Sequence, residues 1–280
     1  MKGAIVTMEQ YDHRKPGSVG SSRIRGEWMI KYWDELELYQ IARDYYDFII
    51  FQKAYWREMV MSYKGIKIFD ICDPDWLDNR PVVEMIEHCD AVVTSSERLA
   101  EQIRLFDVDD KPVVCIPDRI DFDWSHPIKM KHEGRIKSVV WFGYSSSNSI
   151  LDKAVNSLKK RGIKLTVISD KSYRDADAFY KYDSDTVNAH IVRHDALLMP
   201  SYTNETYRHQ FKSNNKTVQA WALKMPVITN SEDFDKWDDP VARQKEVDDK
   251  FKLAQDFYDV RQSVVEYKNL INLIKERQVK

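Results

Sequence analysis

The chain has 280 residues, of which 43% are hydrophobic and 31% charged, and a formal net charge of −2 at pH 7. That length suits two compact domains, and the charge supplies no general attraction to nucleic acid or to an anionic membrane. No apolar run approaches the roughly 20 residues needed to span a bilayer, and the start lacks a signal-peptide core with a cleavage site.

Apolar runs and helical patterns alternate along the sequence. Lys2 to Met8 reads as a strand, followed by a loop from Tyr11 to Ser22 and helical spacing from Arg23 to Trp33. Leu36–Tyr39 and Phe48–Gln52 read as strands, Tyr55–Tyr63 as a helix and Ile66–Ile71 as a strand ending in Cys72-Asp73-Pro74. A helix over Val82–His88, a strand over Ala91–Thr94 and a helix capped by Ser95-Ser96-Glu97 follow, then a strand over Val113–Ile116. Pro117 to Glu133 has no periodicity and marks a domain boundary. The pattern restarts with a strand at Ser138–Phe142, a small-residue turn at Gly143–Ser147, a helix over Ile150–Arg161 and a strand at Lys164–Ser169. Further strands are expected at Ala189–Val192, Ala196–Met199 and Pro226–Thr229, and everything beyond Asp239 has helical apolar spacing. Short, continuously apolar strands separated by helices predict parallel sheets covered on both faces.

Three cysteines, Cys72, Cys89 and Cys115, lie in or near apolar segments without metal-ligand spacing. They read as reduced core thiols in a cytoplasmic protein. No His/Cys cluster suggests a metal. In open α/β sheets, ligands sit beyond the carboxyl ends of the strands, and most unusual residues of this chain fall in those loops.

The segment from Asp195 to Thr229 is the most informative. A strand ending in Met199-Pro200-Ser201 runs through a polar loop to Lys212-Ser213-Asn214-Asn215-Lys216-Thr217, then a helix, then Met225-Pro226-Val227-Ile228. Cations beside a helix start suit a diphosphate. This spacing resembles the donor-binding segment of GT-B nucleotide-sugar glycosyltransferases. The glycine-bearing loop with Gly17, Gly20, Ser21 and Arg23, the Pro117–Asp121 turn and the Gly143-Tyr144-Ser145 turn are similar to GT-B elements too. The resemblance implies an α/β fold of two Rossmann-like domains facing across a cleft, with a helical C-terminal segment. Domains are expected at 1–124 (acceptor) and 125–240 (nucleotide sugar), with helices at 241–280 packing back on the first domain.

By that resemblance, Gly143, Tyr144, Ser145, Lys212, Ser213, Asn215, Lys216, Thr217 and Gln219 bind the donor, with Gln219 on the ribose. The family's paired glutamates are absent: Phe211 and Gln219 stand at their positions, and Glu205 is the alternative carboxylate in the same loop. Inversion needs a general base on the acceptor hydroxyl. Asp73 in Asp70-Ile71-Cys72-Asp73-Pro74-Asp75 is the first choice and His13 the second, although Asp-Pro-Asp is also ordinary turn chemistry. The implied activity is sugar transfer from a nucleoside-diphosphate sugar to an acceptor hydroxyl, on a glycan or a hydroxylated DNA base, without metal or cofactor. A phage or bacterial cell would be the setting. A non-catalytic nucleotide-sugar-binding protein and a GT-B-type epimerase are the alternatives.

Overall fold

The computed structural model describes residues 1–14, 19–41, 45–106, 110–200 and 207–278. The chain divides into two compact units. The first comprises Met1–Asp121, Thr206–Asn214 and Tyr258–Lys280; the second comprises Phe122–Glu205 and Asn215–Phe257. The segment 241–280, read from sequence as one helical block, is thus shared between them.

The first unit is built on a six-stranded sheet of β1 (Gly3–Thr7), β2 (Leu36–Leu38), β3 (Phe48–Gln52), β4 (Ile66–Ile71), β5 (Ala91–Thr94) and β6 (Val113–Cys115). Its order is β2-β1-β3-β4-β5-β6 and every pairing is parallel. All five residues of β1 and all five of β3 are buried. That is why these strands read as unbroken apolar runs: both faces of a parallel sheet are covered by helices. The chain leaves β1 toward one edge and returns to build β3–β6 on the other side. The loops after β1 and β3 therefore flank the point where strand order reverses.

The second unit holds β7 (Ser138–Phe142), β8 (Lys164–Ser169), β9 (Ala178–Lys181), β10 (Ala196–Leu198) and β11 (Val227–Ile228), in the order β11-β10-β7-β8-β9, also all parallel. Its strands alternate faces. Val139, Trp141, Leu165, Val167 and Leu198 enter one core cluster, while Val140, Phe142, Ile168 and Leu197 enter another. Here the order reverses between β10 and β7, so the Gly143 turn follows a strand at the reversal point.

Two expectations change. Residues 187–191 form a helix, not a strand, because Val187 and Ile191 bury one turn apart on the same helical face. The strand at Ala178–Lys181 escaped notice because it is an edge strand, mostly exposed, without an apolar run. The first helical stretch is also irregular: Arg23–Glu27 is π-helical between the α-helical turns Gly20–Ser22 and Trp28–Lys31. At the C-terminus, Pro240–Phe257 and Val260–Gln278 are helices, the latter burying Val260, Val264, Tyr267, Leu270, Ile271 and Ile274 as one stripe. Among the described residues no helix is long and apolar enough to cross a membrane. All three cysteines are unpaired thiols, two of them buried.

Candidate active site

The carboxyl ends of β3 and β4 carry a dense set of charges inside the first unit. Gln52 closes β3, and Lys53 follows in the left-handed backbone region at φ 50°. That conformation is uncommon for a side-chain-bearing residue and tends to persist where surroundings impose it. Here the Lys53 amide donates to the Asp70 carbonyl at 2.8 Å, and its ammonium is drawn inward to two carboxylates. Lys53 Nζ lies 2.7 Å from Asp73 Oδ2 and 3.2 Å from Asp75 Oδ1. Burial opposes the charge on Lys53, but Cys72, Asp73 and Asp75 more than offset it and raise its pKa well above the ordinary lysine value. Asp75 receives a second donor, the Tyr55 hydroxyl, at 2.6 Å.

Asp73 is held from both sides. Besides Lys53 on Oδ2, Lys212 Nζ sits 2.8 Å from Oδ1. Burial pushes its carboxyl upward, yet the two ammonium groups prevail and bring it down to about 2. The lysines differ in setting: the Lys53 side chain is 9% exposed and that of Lys212 is 46% exposed.

Deeper in the same unit lies a second charged group. Arg25, placed inward by the π-helical turn, donates from Nε to Asp70 Oδ1 at 2.7 Å and Oδ2 at 3.0 Å. Its Nη1 donates to Asp118 Oδ1 at 2.8 Å and to the Ile116 carbonyl at 3.0 Å. The Tyr267 hydroxyl donates to Asp70 Oδ2, and Ser213 Oγ donates to Asp118 Oδ2 at 2.6 Å. The guanidinium is disfavoured by burial but is raised well above its ordinary pKa by Asp70, Tyr267 and Asp118, so it stays charged. The result is a buried cluster of paired charges within the first unit.

The Lys212–Thr217 segment is divided by this arrangement. Lys212 and Ser213 belong to the first unit, engaged by Asp73 and Asp118, whereas the helix begins at Asn215 in the second unit. The expected donor residues are thus distributed over both units. Phe211, at a position where the resemblance places a glutamate, is 1% exposed and packs its ring on Trp76 at 5.5 Å. Its role is apolar packing, which fits no carboxylate.

Within the second unit, Lys216 lies in the first turn of the helix Asn215–Ala222, with its ammonium 5.1 Å from the Trp141 ring and 5.6 Å from the Phe142 ring. A Cβ at Gly143 would come within 2.6 Å of Lys216 Nζ and 2.9 Å of the Trp141 ring, so a larger residue there requires the lysine's flexible end and the indole to shift. The Gly143 amide donates to the Ile168 carbonyl at 3.1 Å. Ser145 gives both its amide and its hydroxyl to Asp170, at 2.6 and 2.8 Å. Tyr144 is exposed, and Asn215 and Thr217 are half-buried in the same helical turn as Lys216. Gln219 is buried and donates from Nε2 to Asn188 Oδ1 at 2.8 Å; Asn188 in turn donates to the Trp124 carbonyl at 2.9 Å. That chain fixes the amide so that its Oε1 is the end left to accept.

The remaining expected residues lie around β1. His13 is exposed, with a left-handed φ of 52°. Gly20 opens the helical turn Gly20–Ser22 with nothing near its missing Cβ, and Ser21 is half-buried. Arg23 is buried, its guanidinium 5.7 Å from the Trp28 ring. Gly17 and Glu205 lie outside the described residues. Sequence reasoning missed Lys53 and Tyr267. A lysine directly after a fully apolar strand was the available signal for the first; the second is 197 residues from its partner and left none.

No family model matches the sequence, and no curated protein matches it. Solved structures do. HepE of Anabaena in complex with UDP-glucose superimposes with a TM-score of 0.68 at 11% identity, over 96% of this chain and 100% of that one. Sucrose-phosphate synthase from Thermosynechococcus elongatus gives 0.61 at 11% identity, over 83% and 74%. T4 phage BGT in complex with its UDP-glucose substrate gives 0.52 at 11% identity, over 99% of both chains. These likenesses show the fold: an α/β chain of two parallel sheets with a helical C-terminal segment, as in the GT-B glycosyltransferases.

Proposed function

We propose that the chain is a glycosyltransferase that uses a nucleoside-diphosphate sugar, with UDP-glucose the first donor to test because solved structures of like fold hold it. The observation that carries this reading is Lys216, whose ammonium is aimed at the Gly143 turn beyond β7, at the reversal point of the second sheet. A leaving diphosphate gathers negative charge as the sugar departs, and a cation placed before the reaction stabilises that charge. Gln219, with Oε1 presented by Asn188, suits the hydroxyl donors of a ribose.

Asp73 is the proposed base. The acceptor hydroxyl would give its proton to Asp73 as its oxygen forms the new bond to the anomeric carbon. The bond from that carbon to the phosphate oxygen breaks with its electron pair, releasing the nucleoside diphosphate, and the proton then passes from Asp73 to solvent. No resident cofactor enters this scheme. The acceptor would be a hydroxyl of a glycan or of a hydroxylated DNA base.

A thermal-shift screen against UDP and UDP-sugars tests donor recognition, since a ligand bound only by the native state raises its melting temperature. Radiolabel transfer from UDP-glucose to a product distinct from an epimerised donor tests the reaction. Binding without turnover, unaltered by Asp73→Asn, would leave a sugar-nucleotide-binding protein instead of an enzyme.

A further inference from the structure

In the first unit, Asp70, Asp73, Asp75 and Asp118 are all held in ion pairs. An acid at the strand ends of the second unit is held differently. Asp170 directly follows β8, is exposed, and pairs with no cation among the described residues. Its donors are neutral. Oδ1 accepts from the Ser145 amide at 2.6 Å and from Ser169 Oγ at 3.1 Å, and Oδ2 accepts from Ser145 Oγ at 2.8 Å. These bonds, the Ser145 amide first, bring the carboxyl down to about 2, so it is ionised at neutral pH. They also fix its orientation. A carboxylate has about four acceptor positions, so Oδ2 keeps room for a further donor.

Asp170 is tied to the donor cradle of the same unit. Ser145 lies two residues beyond Gly143, and a Cβ on Gly143 would come within 2.6 Å of Lys216 Nζ. The loops after β7 and β8 are neighbours because these strands pair in parallel, Phe142 against Ile168. A fixed anion and the Lys216 cation thus border one turn. The anion repels a diphosphate, so what it can take is a hydroxyl. A nucleotide sugar carries hydroxyls on both sides of its diphosphate, on the ribose and on the transferred sugar. Gln219 serves the ribose in the reading above, which leaves the sugar's hydroxyls to another acceptor.

We propose that Asp170 selects the donor sugar: its carboxylate, braced by Ser145, accepts a hydroxyl of the hexose that is transferred. This rests on the transferase reading above and adds to it the origin of sugar selectivity. Ser145 would be a positioning residue, acting through Asp170. A charged acceptor of fixed direction rejects a sugar that lacks the matching hydroxyl, because the oxygen loses its water and gains no bond in return.

The test is calorimetry of UDP, UDP-glucose and the monodeoxyglucose analogues of UDP-glucose with wild type and Asp170→Asn. Wild type should bind one of the analogues about tenfold or more weakly than UDP-glucose, the scale of a hydrogen bond to a charged group. In Asp170→Asn, UDP-glucose should weaken by a similar factor, and its advantage over that analogue should largely vanish. UDP itself should bind the two proteins within about twofold, as for groups that do not touch. A merely structural role, acting through the turn, would weaken UDP and UDP-glucose alike, and that result overturns the inference. Equal discrimination among the analogues by both proteins overturns it too and leaves the donor reading intact. Failure of wild type to bind either UDP or UDP-glucose overturns both. The analogue series on wild type needs no substitution: if no monodeoxy form binds more weakly than UDP-glucose, the inference falls even where the variant does not fold.

Discussion

The two sheets end in opposite chemical styles. At the strand ends of the first unit, charges are paired with charges: Arg25 with Asp70 and Asp118, Lys53 with Asp73 and Asp75, and Lys212 with Asp73. At the strand ends of the second unit, a lysine stands over aromatic faces beside a glycine turn, and a neutral amide is aimed by another amide. A group that must take up and release a proton needs neighbours that tune its charge, whereas a site for an anion needs a cation, space and acceptors for hydroxyls. On the proposed function, the contrast would be that of a reacting centre and a binding cradle, each on a parallel sheet.

Five changes would break or sharpen this contrast. The largest effect belongs to the buried charge cluster. Asp70→Asn leaves the Arg25 guanidinium buried against a neutral amide and should cost about 3–5 kcal/mol in urea unfolding, as for other buried pairs deprived of one partner. If the stability were unchanged, the Arg25–Asp70 pair would contribute nothing net to folding. Lys216→Met should weaken UDP binding by about tenfold or more, measured by calorimetry, because charge-assisted bonds are worth roughly 1.5–3 kcal/mol. Its effect on folding should be small by comparison.

The acid limb of stability gives a third check. Asp73 is depressed in the folded state, so its pairing stabilises the protein above the unfolded carboxylate value near 4 and is lost as pH falls through about 2. Asp73→Asn should therefore cost up to about 2 kcal/mol at pH 6, with the difference from wild type closing toward pH 2. A constant gap across that window would mean that the ion pairs contribute little. The smallest effect is expected of Tyr267→Phe, which removes one hydroxyl from Asp70 and should cost about 1–2 kcal/mol without altering UDP affinity. Gly143→Ala would sharpen the other side of the contrast by pushing Lys216 off its aromatic seat: UDP affinity should fall while the melting temperature changes little.

The strand sequence was legible because parallel strands buried on both faces must be continuously apolar. The restart of the pattern after Glu133 marked the second sheet for the same reason. The Gly143 turn and Lys216 were legible as types at expected places. What eluded reading was partnership. Nothing local announces that Lys212 meets Asp73, 139 residues away, or that Tyr267 reaches Asp70 across most of the chain. Local patterning also misplaced residues 189–192, where a β-branched pair suits a strand, yet tertiary packing favours one helical turn. The division of Lys212 from Lys216 by a unit boundary was invisible for the same cause: a run of polar residues carries no record of which core each end serves.

The central claim is that Asp73 is the base of a donor-dependent transfer, and release of UDP from UDP-glucose by wild type and Asp73→Asn tests it most directly. The account predicts that both proteins bind UDP with similar affinity while the variant's turnover falls by about 100-fold or more, the scale of general-base catalysis. Equal turnover in the two proteins would contradict it.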